Sequence, residues 1–361
     1  MKHLIKVNLL ILAVMIVVLE IAGQVGYYLL KGETVFKINP YKPEEVFESH
    51  PYLVARLIPN NTQEHEGVIM TTDSESHRNT GAPEDTKGLI NVAVLGGSTT
   101  MSVGVSDEDS WPAVLQKNLG PEYAVTNYGV AGFTTAENII QMALNVPAKH
   151  PDIVVFYEGW NDITNYHRPT VEPDYYSHGM EQYGVLGLKR MITDKRSFIQ
   201  RAADYSAIFK GITLVADKLA GRTKDTTLHD DPDPRADDLY LRNLKTLKTL
   251  ANAFGAKAVF VPQVLNYDKY RAEPGADYWT PHINNAAMPK LMDRFNTIMA
   301  QACGPADHNC TVLNQVLEPE WNKELFIDYG HFNKEGNRIF ADILAQQISQ
   351  YSKPVSVATQ Q

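Results

Sequence analysis

The stretch from Asn91 to Thr100, NVAVLGGSTT, constrains the fold of this chain more than any other. Residues 91–95 are mainly apolar and β-branched without alternation, which indicates a parallel strand covered on both faces. Gly96 and Gly97 then allow a tight turn that a side chain would obstruct. Ser98 follows at the end of the strand, where backbone N–H groups can stabilise an oxyanion if a helix begins there. Gly-Gly-Ser is also an ordinary turn, so the stretch alone leaves both interpretations open.

Strand-like and helix-like segments alternate from residue 91 onward, as in a parallel sheet flanked by helices. The hydrophobic content of 44% suffices for a packed core of one large domain or two small ones. Further strands are predicted at 124–126, 152–157, 258–261 and about 311–313, and helices at about 111–119, 134–146, 237–254, 288–302 and 333–349. The pattern therefore predicts an α/β fold.

The N-terminal segment carries an apolar run that is typical of membrane insertion. Two lysines precede the run Leu9 to Leu19, which has the length of a signal-peptide core, whereas Leu9 to Leu30 has the length of a spanning helix. Because no small-x-small cleavage site follows, we favour an uncleaved anchor over residues 1–31, with secretion as the alternative if the segment is cleaved. The positive-inside rule then places residues from about 32 onward outside the cytoplasm.

Three further segments differ from the alternating pattern. Residues 32–88 show little periodicity and are predicted to be a juxtamembrane connector. Residues 163–235 are rich in tyrosine, contain a possible helix from about Ser197 to Leu219, and are predicted to be an insertion. That insertion is either a lid or substrate platform or a plain surface excursion. The tail over residues 353–361 is predicted to be disordered.

Charge and cysteine content limit the partners of the chain. A net charge of -9 and the lack of a long Lys/Arg cluster argue against nucleic acid and favour a small molecule or a neutral polymer. Cys303 and Cys310 could form a disulfide in an oxidising compartment, or they could be two unrelated thiols. His308 is more typical of a surface histidine than of a metal ligand, and no metal or cofactor is predicted. Protein partners are left open.

Acyl transfer to water needs a nucleophile, a base, a group that orients the base, and donors for the oxyanion. His331 lies in FIDYGHFNKEGN with Asp328 three residues earlier, so the carboxylate can reach one imidazole nitrogen while the other faces a nucleophile. Asn161 in G-W-N-D and Gly132 in NYGVAG could donate to the oxyanion. Each also has an ordinary interpretation, as a helix cap, an Asx turn or a strand-to-helix turn.

Taken together, the blocks G-G-S98-T, N-x-x-x-x-G132, G-x-N161-D and D328-x-x-H331 resemble the SGNH or GDSL family of serine esterases. The resemblance covers a predicted domain over residues 89–352. It implies a flavodoxin-like three-layer αβα sandwich with a five-stranded parallel sheet. In its 2-1-3-4-5 strand order the first strand lies between the second and third, so the first three blocks emerge at one switch point.

The same resemblance implies the role of each residue. Ser98 is the nucleophile, His331 the base and Asp328 the group that orients it. The N–H groups of Ser98 and Gly132 and the side chain of Asn161 form the oxyanion hole. The block G-G-S-T replaces the G-D-S-L of the family name but retains the glycine and the serine.

The sequence stretch GGSTTMSVGVSDEDSWP and the segment before it also look like membrane-anchored bacterial members that are associated with cell-surface polysaccharide. The leading hypothesis is therefore an extracytoplasmic esterase that removes acetyl or other short acyl groups from a glycan. The alternatives are a lipase or thioesterase that acts on lipid esters, a glycan O-acetyltransferase, and a non-catalytic glycan-binding protein on the same fold.

Overall fold

The computed structural model describes residues 2–32, 34–35, 45–185, 197–220, 227–277, 279–304 and 307–351. The chain forms two compact units. The smaller unit comprises Met1–Lys42 and Ile192–Thr226, and the larger unit comprises Pro43–Met191 and Thr227–Gln361. The predicted disordered tail lies outside the described residues.

The secondary structure alternates between strands and helices, as the sequence predicts. The helices are α1 (Lys2–Lys31), α2 (Ser98–Met101), α3 (Trp111–Leu119), α4 (Thr135–Leu144), α5 (Tyr176–Val185), α6 (Phe198–Ala202), α7 (Ala207–Leu219), α8 (Pro234–Ala253), α9 (Tyr267–Ala272), α10 (Met288–Ala300) and α11 (Lys334–Tyr351). The strands are β1 (Phe47–Ser49), β2 (Ala55–Leu57), β3 (Thr62–His65), β4 (Val68–Thr71), β5 (Ile90–Gly96), β6 (Tyr123–Asn127), β7 (Ile153–Tyr157), β8 (Lys257–Phe260) and β9 (Cys310–Val312).

A five-stranded parallel sheet with the order β6-β5-β7-β8-β9 forms the centre of the larger unit. In the register of the sheet, Val94 of β5 lies opposite Asn127 of β6 and Val155 of β7. The first strand of this sheet in the sequence thus lies between the second and the third. The predicted α/β fold with a flavodoxin-like strand order is confirmed, and the loops after β5, β6 and β7 leave the sheet at the same edge.

Helices cover the sheet on both faces because its strands are apolar on both sides. On β7, Phe156 points to one face and packs with Leu247 of α8 and Phe295 of α10 in one core cluster. Its neighbour Val155 belongs to a second cluster, on the other face, that includes Phe340 of α11. Successive residues of a strand point to opposite faces, so an unbroken apolar run is the expected pattern for a central strand.

The segment that precedes the sheet contains two antiparallel hairpins, β1-β2 and β3-β4, that the sequence analysis did not predict. Arg78, which follows them, is almost fully buried. Its guanidinium donates to the carbonyl oxygens of Met101, Ser102 and Val105 and forms an ion pair with Asp107 at 2.8 Å. Residues 45–88 therefore hold the chain immediately after α2 in place, in addition to connecting α1 to the sheet.

The smaller unit contains one helix that is long and apolar enough to cross a membrane, among the residues that the structure describes. This span covers His3–Leu30 of α1, has a mean hydropathy of 2.6 and has none of its window buried inside the protein. The helix predicted from about Ser197 to Leu219 is present as two helices, α6 and α7, because Ser206 caps a second helix through Phe209 N–H.

A disulfide joins Cys303 and Cys310, across the loop that connects α10 to β9. The sequence separation of seven residues makes this a small closed loop. The alternative of two unrelated thiols does not apply to this structure. Disulfides of this kind persist in oxidising compartments.

Candidate active site

Ser98 lies at the point where β5 passes into the short helix α2. Two glycines before it make this turn possible. A Cβ atom on Gly96 would lie 2.5 Å from the carbonyl oxygen of Tyr157, and a Cβ atom on Gly97 would collide with the side-chain amide of Asn161. Both positions therefore require a residue without a side chain. The turn leaves Ser98 9% exposed, at the edge of the sheet where a substrate can reach it.

A continuous line of hydrogen bonds joins Ser98 to His331 and Asp328. Nε2 of His331 lies 2.8 Å from Oγ of Ser98, and Nδ1 of His331 lies 2.7 Å from Oδ2 of Asp328. The other carboxylate oxygen of Asp328 accepts from the backbone N–H groups of Gly330 at 2.9 Å and His331 at 2.8 Å. The carboxylate holds Nδ1 as the protonated nitrogen, so Nε2 is free to accept the proton of the serine hydroxyl.

Asp328 is held in its charged form. Burial alone would raise the pKa of this carboxyl group, but the hydrogen bond and charge of His331 and the two backbone N–H groups lower the pKa to about 2. Asn266 Nδ2 also donates to the carbonyl oxygen of Asp328 at 3.0 Å, which fixes the loop. A permanent negative charge beside Nδ1 stabilises the imidazolium that forms when His331 takes a proton.

Donors for an oxyanion come from the loops after β5, β6 and β7. The backbone N–H groups of Ser98 and Gly132 donate to no residue among those the structure describes. Asn161 Nδ2 donates one hydrogen to the carbonyl oxygen of Phe133 at 2.7 Å, and its second hydrogen stays available. The structure thus brings together all five predicted residues of the site at one edge of the sheet.

The side chain of Asn161 is oriented by Trp279, a residue that the sequence analysis did not single out. The indole Nε1 of Trp279 donates to Oδ1 of Asn161 at 2.7 Å. Because Oδ1 accepts this hydrogen bond, the amide nitrogen must point the other way, towards Gly97 and Phe133. Trp279 lies more than 100 residues after Asn161, so no local spacing connects the two.

A second unpredicted residue, His178 of α5, bridges the loops that carry Gly132 and Asn161. Its Nε2 donates to the carbonyl oxygen of Gly132 at 2.9 Å. Its Nδ1 lies 2.9 Å from Oγ1 of Thr164, and that hydroxyl lies 2.6 Å from the carbonyl oxygen of Asn161. Burial lowers the pKa of His178 to about 4, so the imidazole is neutral at pH 7. The N-terminal part of the predicted insertion therefore supports the site.

Asp162 ties the loop after β7 to the start of α4. Its carboxylate accepts from the backbone N–H of Thr135 at 3.2 Å and from the Thr135 hydroxyl at 2.5 Å. Burial raises the pKa of Asp162 to about 7, although the hydrogen bonds from Thr135 act in the opposite direction. The position of Asp162 immediately after Asn161 was the sequence signal that could have identified it.

One group of possible metal ligands occurs in the part of the chain that the structure describes: His167, His229 and Asp231, with ligand atoms within 4.8 Å of one another. The two imidazole rings are stacked with centroids 3.9 Å apart and planes 9° from parallel. Nε2 of His167 lies 2.7 Å from the carbonyl oxygen of Asp231, so this nitrogen carries a proton and donates to that oxygen. This nitrogen of His167 is therefore not available as a metal ligand in the structure.

Comparison with solved structures finds similar chains at low sequence identity. One is a GDSL-like lipase from Bacteroides thetaiotaomicron, with 13% identity, a TM-score of 0.42, and coverage of 74% of this chain and 92% of that chain. A lipase/acylhydrolase from Enterococcus faecalis has 14% identity, a TM-score of 0.41, and coverage of 73% and 96%. An acetyl xylan esterase has 16% identity, a TM-score of 0.39, and coverage of 72% and 100%.

Comparison with curated protein sequences gives no match. The sequence profile of the GDSL-like lipase/acylhydrolase family, however, matches residues 94–339. The matched region begins within β5, ends within α11 and includes all five predicted residues of the site. On this match, which extends over more than half of the 361 residues, the chain belongs to the GDSL-like lipase/acylhydrolase family.

Proposed function

We propose that this protein is a membrane-anchored serine esterase that removes short acyl groups from a cell-surface polysaccharide outside the cytoplasm. The observation that carries the proposal is the hydrogen-bond line from Ser98 Oγ through His331 to Asp328, with distances of 2.8 Å and 2.7 Å. The backbone N–H groups of Ser98 and Gly132, which donate to no other residue that the structure describes, lie at the same edge of the sheet. A nucleophile, a base, an orienting carboxylate and oxyanion donors are the parts that acyl transfer requires.

The reaction proceeds in two steps. His331 Nε2 takes the hydroxyl proton of Ser98 as Oγ attacks the ester carbonyl, and the resulting oxyanion accepts hydrogen bonds from the Ser98 and Gly132 N–H groups and from Asn161 Nδ2. His331 then gives its proton to the leaving alcohol, so an acyl-serine remains. Water attacks the acyl-serine by the same proton transfers, which releases the carboxylic acid and restores Ser98.

Two features of the site support a short acyl group on a glycan. Ser98 is only 9% exposed, and the bulky side chains of Trp160 and Trp279 lie beside His331 and Asn161. Limited exposure of the nucleophile and bulky neighbours favour a short acyl group such as acetyl over a long chain. The partly exposed indole of Trp279 presents a flat apolar ring face, which is suited to packing against a sugar ring.

The location outside the cytoplasm is supported by two independent features. Helix α1 is long and apolar enough to span a bilayer, and lysines precede its apolar run. The larger unit contains the disulfide between Cys303 and Cys310, and such bonds are rare in reducing compartments. Both features agree with an uncleaved anchor that leaves the larger unit in an oxidising space.

The nucleophile is tested by labelling the full chain, in detergent, with a fluorophosphonate probe. The wild-type protein and a Ser349→Ala control are expected to label, whereas Ser98→Ala is expected not to. The same proteins are assayed on p-nitrophenyl acetate, octanoate and palmitate, with the highest rate expected for acetate. Equal labelling of Ser98→Ala and wild type would contradict the serine mechanism, and a rate that rises with chain length would indicate a lipid ester as substrate.

The acceptor is tested on an O-acetylated polysaccharide, with release of acetate as the measurement. The wild-type protein is expected to release acetate, whereas Ser98→Ala is expected to release none. Mass spectrometry of an added unacetylated oligosaccharide distinguishes the alternative, because an acetyltransferase would increase the mass of the oligosaccharide by acetyl groups and release little acetate.

A further inference from the structure

We propose that helix α7 is a second membrane-embedded element, held against the anchor helix α1 by Glu20 and covered on its apolar surface by lipid acyl chains. This inference goes beyond the esterase activity, and it rests on the proposed insertion of α1 into a bilayer. All the residues that carry it belong to the smaller unit. It gives the part of the predicted insertion from residue 197 to 220 a role in the anchor.

The first observation is the set of hydrogen bonds at Glu20, an acidic residue within the apolar length of α1. Its carboxylate accepts from the Ser206 hydroxyl at 2.6 Å, from Ala207 N–H at 2.7 Å and from Ile208 N–H at 3.2 Å. Gln24, one turn further along α1, donates to the same carboxylate at 2.7 Å. Glu20 thus satisfies the first N–H groups of α7 and lies at the positive end of its helix dipole.

The second observation is the depth of Glu20 in the candidate span. Placing the aromatic residues Tyr27 and Tyr28 at the outer interface puts Glu20 roughly 10 Å inside it, at 1.5 Å per residue. An ionisable side chain at that depth requires a polar partner, because hydrocarbon offers none. Because its partner is the start of α7, the N-terminal end of α7 lies at the same depth.

Small residues allow the two helices to approach closely at this point. A Cβ atom on Gly23 would lie 2.9 Å from the Cβ atom of Ala207. Gly23 is three residues after Glu20 and therefore lies on the same side of α1. Close approach at glycine and alanine is typical of helices that pack inside membranes, where van der Waals contact replaces the hydrophobic effect as the source of association.

The third observation is the apolar surface that α7 leaves uncovered. Ile212, Leu214, Val215 and Leu219 are 46%, 56%, 59% and 84% exposed. Burial of such side chains in lipid acyl chains removes their apolar surface from water, which stabilises the embedded position. The last turn of α7 carries the charged residues Asp217 and Lys218. Charged residues at this end suit a helix whose C-terminal end lies in the headgroup region.

The length of α7 fits partial penetration of the bilayer. Its 13 residues span about 20 Å, less than the hydrocarbon thickness of about 30 Å, so it is too short to cross. In the sequence, the part of the smaller unit that contains α7, Ile192–Thr226, falls between two stretches of the larger unit.

The test compares thiol labelling at three positions of the full chain in lipid nanodiscs, whose two faces are both open to solvent. Leu214→Cys probes α7, Ile16→Cys probes α1, and Leu144→Cys is the matched control, an exposed leucine on helix α4 of the larger unit. Both native cysteines are in the disulfide, so each variant has a single thiol. Hydrocarbon suppresses thiolate formation, so a charged maleimide should label Leu214→Cys and Ile16→Cys at least tenfold more slowly than Leu144→Cys.

Two results would overturn the proposal in distinguishable ways. If Leu214→Cys labels as fast as Leu144→Cys while Ile16→Cys stays protected, α7 is outside the bilayer and the anchor stands. If Ile16→Cys also labels rapidly, the anchor itself is wrong and the inference falls with it. Fluorophosphonate labelling of Ser98 in the same samples reports the esterase site separately.

The role of Glu20 is tested in the Leu214→Cys background. Glu20→Ala removes the carboxylate that accepts from Ser206, Ala207 and Ile208, whereas Glu20→Gln keeps one oxygen for the same donors. Labelling of Leu214→Cys is expected to become several-fold faster with Glu20→Ala and to change less with Glu20→Gln. Identical labelling rates in all three backgrounds would show that the Glu20 contact does not hold α7 in the membrane.

Discussion

The two halves of the active site are built in opposite ways. The proton-transfer half consists of Asp328 and His331, three residues apart in one loop, with Asp328 accepting from that loop's own N–H groups. The oxyanion half takes Gly132 and Asn161 from two separate loops. His178 bridges these two loops, and Trp279 orients the side chain of Asn161 from a distant part of the chain. The first half is therefore encoded locally, whereas the second depends on the packing of the whole larger unit.

Electrostatics differ between the halves as well. Hydrogen bonds from His331 and backbone N–H groups overcome burial at Asp328 and lower its pKa to about 2. In the oxyanion half, burial dominates at Asp162 and raises its pKa to about 7 despite hydrogen bonds from Thr135. The carboxylate of Asp328, which accepts from His331 and from two backbone N–H groups, remains charged, whereas that of Asp162, which lies near a second acid, Glu137, is driven towards its neutral form.

The largest loss of activity is expected from Asp328→Asn, which changes the proton-transfer half of the site. The variant keeps the size of the side chain but loses its charge, so Nδ1 of His331 is no longer held as a donor. We expect kcat on p-nitrophenyl acetate to fall by roughly 1,000- to 10,000-fold, as for loss of the orienting carboxylate in other Ser-His-Asp enzymes. Asp342→Asn on the surface of α11 is the control. A fall below tenfold would show that the proton-transfer half does not depend on this charge.

Asn161→Ala tests the oxyanion half directly. Loss of one oxyanion donor typically costs about 100- to 1,000-fold in kcat, with KM nearly unchanged. Asn165→Ala is the matched control, because it removes a buried amide of the same loop that donates to Asp162 O at 3.0 Å. If both variants lose activity equally, the effect of Asn161→Ala comes from distortion of the loop.

The sequence predicted the sheet because its strands are unbroken apolar runs. It missed the hairpins before the sheet because strands such as Thr62–His65 are short and largely exposed and give no periodic signal. Helix α8 begins at Pro234, three residues before the predicted start at 237. The first residues of this helix were assigned to the end of the predicted insertion over residues 163–235, although Asp233 followed by Pro234 is also a helix start.

The presence or absence of a local sequence pattern also explains which residues of the site the sequence identified. Asp328 and His331 could be identified because three residues of one loop bring them together, and Ser98, Gly132 and Asn161 because each follows a strand that was recognised. His178 and Trp279 belong to no motif, because the site residues that they contact, Gly132 and Asn161, lie 46 and 118 residues away in the sequence. Contacts at that separation are set by tertiary packing, which a single sequence does not display.

The bridge through His178 is expected to make the larger unit sensitive to acid. The pKa of His178 is about 4 in the folded protein and 6.5 for an ordinary histidine, as in the unfolded chain. Between these two pH values the unfolded chain therefore binds a proton that the folded chain does not. The free energy of unfolding should therefore fall between pH 7 and pH 4, by on the order of 3 kcal/mol from this group. Asp162, with a raised pKa, acts in the opposite direction, because its stabilising effect is lost as pH rises towards 7.

Comparison of wild type with His178→Gln isolates the histidine, since Asp162 is common to both. Tryptophan fluorescence during urea unfolding reports the larger unit, because all four tryptophans belong to it. The stability advantage of wild type over His178→Gln should shrink from pH 7 to pH 4.5. An advantage that stays constant with pH would mean that His178 titrates normally in the folded protein.

The smallest effect is expected from Trp279→Phe, which keeps an aromatic ring beside Asn161 but removes the indole N–H that orients its amide. Loss of one hydrogen bond of about 1 kcal/mol predicts a fall in kcat of about 3- to 10-fold. Trp321→Phe is the matched control, because it removes an indole hydrogen bond of the same 2.7 Å length, to Val316 O, away from the site. Combined with Asn161→Ala, Trp279→Phe should have no further effect on kcat, since the amide that it orients is gone. A full additional loss in the double variant would show that Trp279 acts on the substrate directly and that the oxyanion half does not need it for orientation.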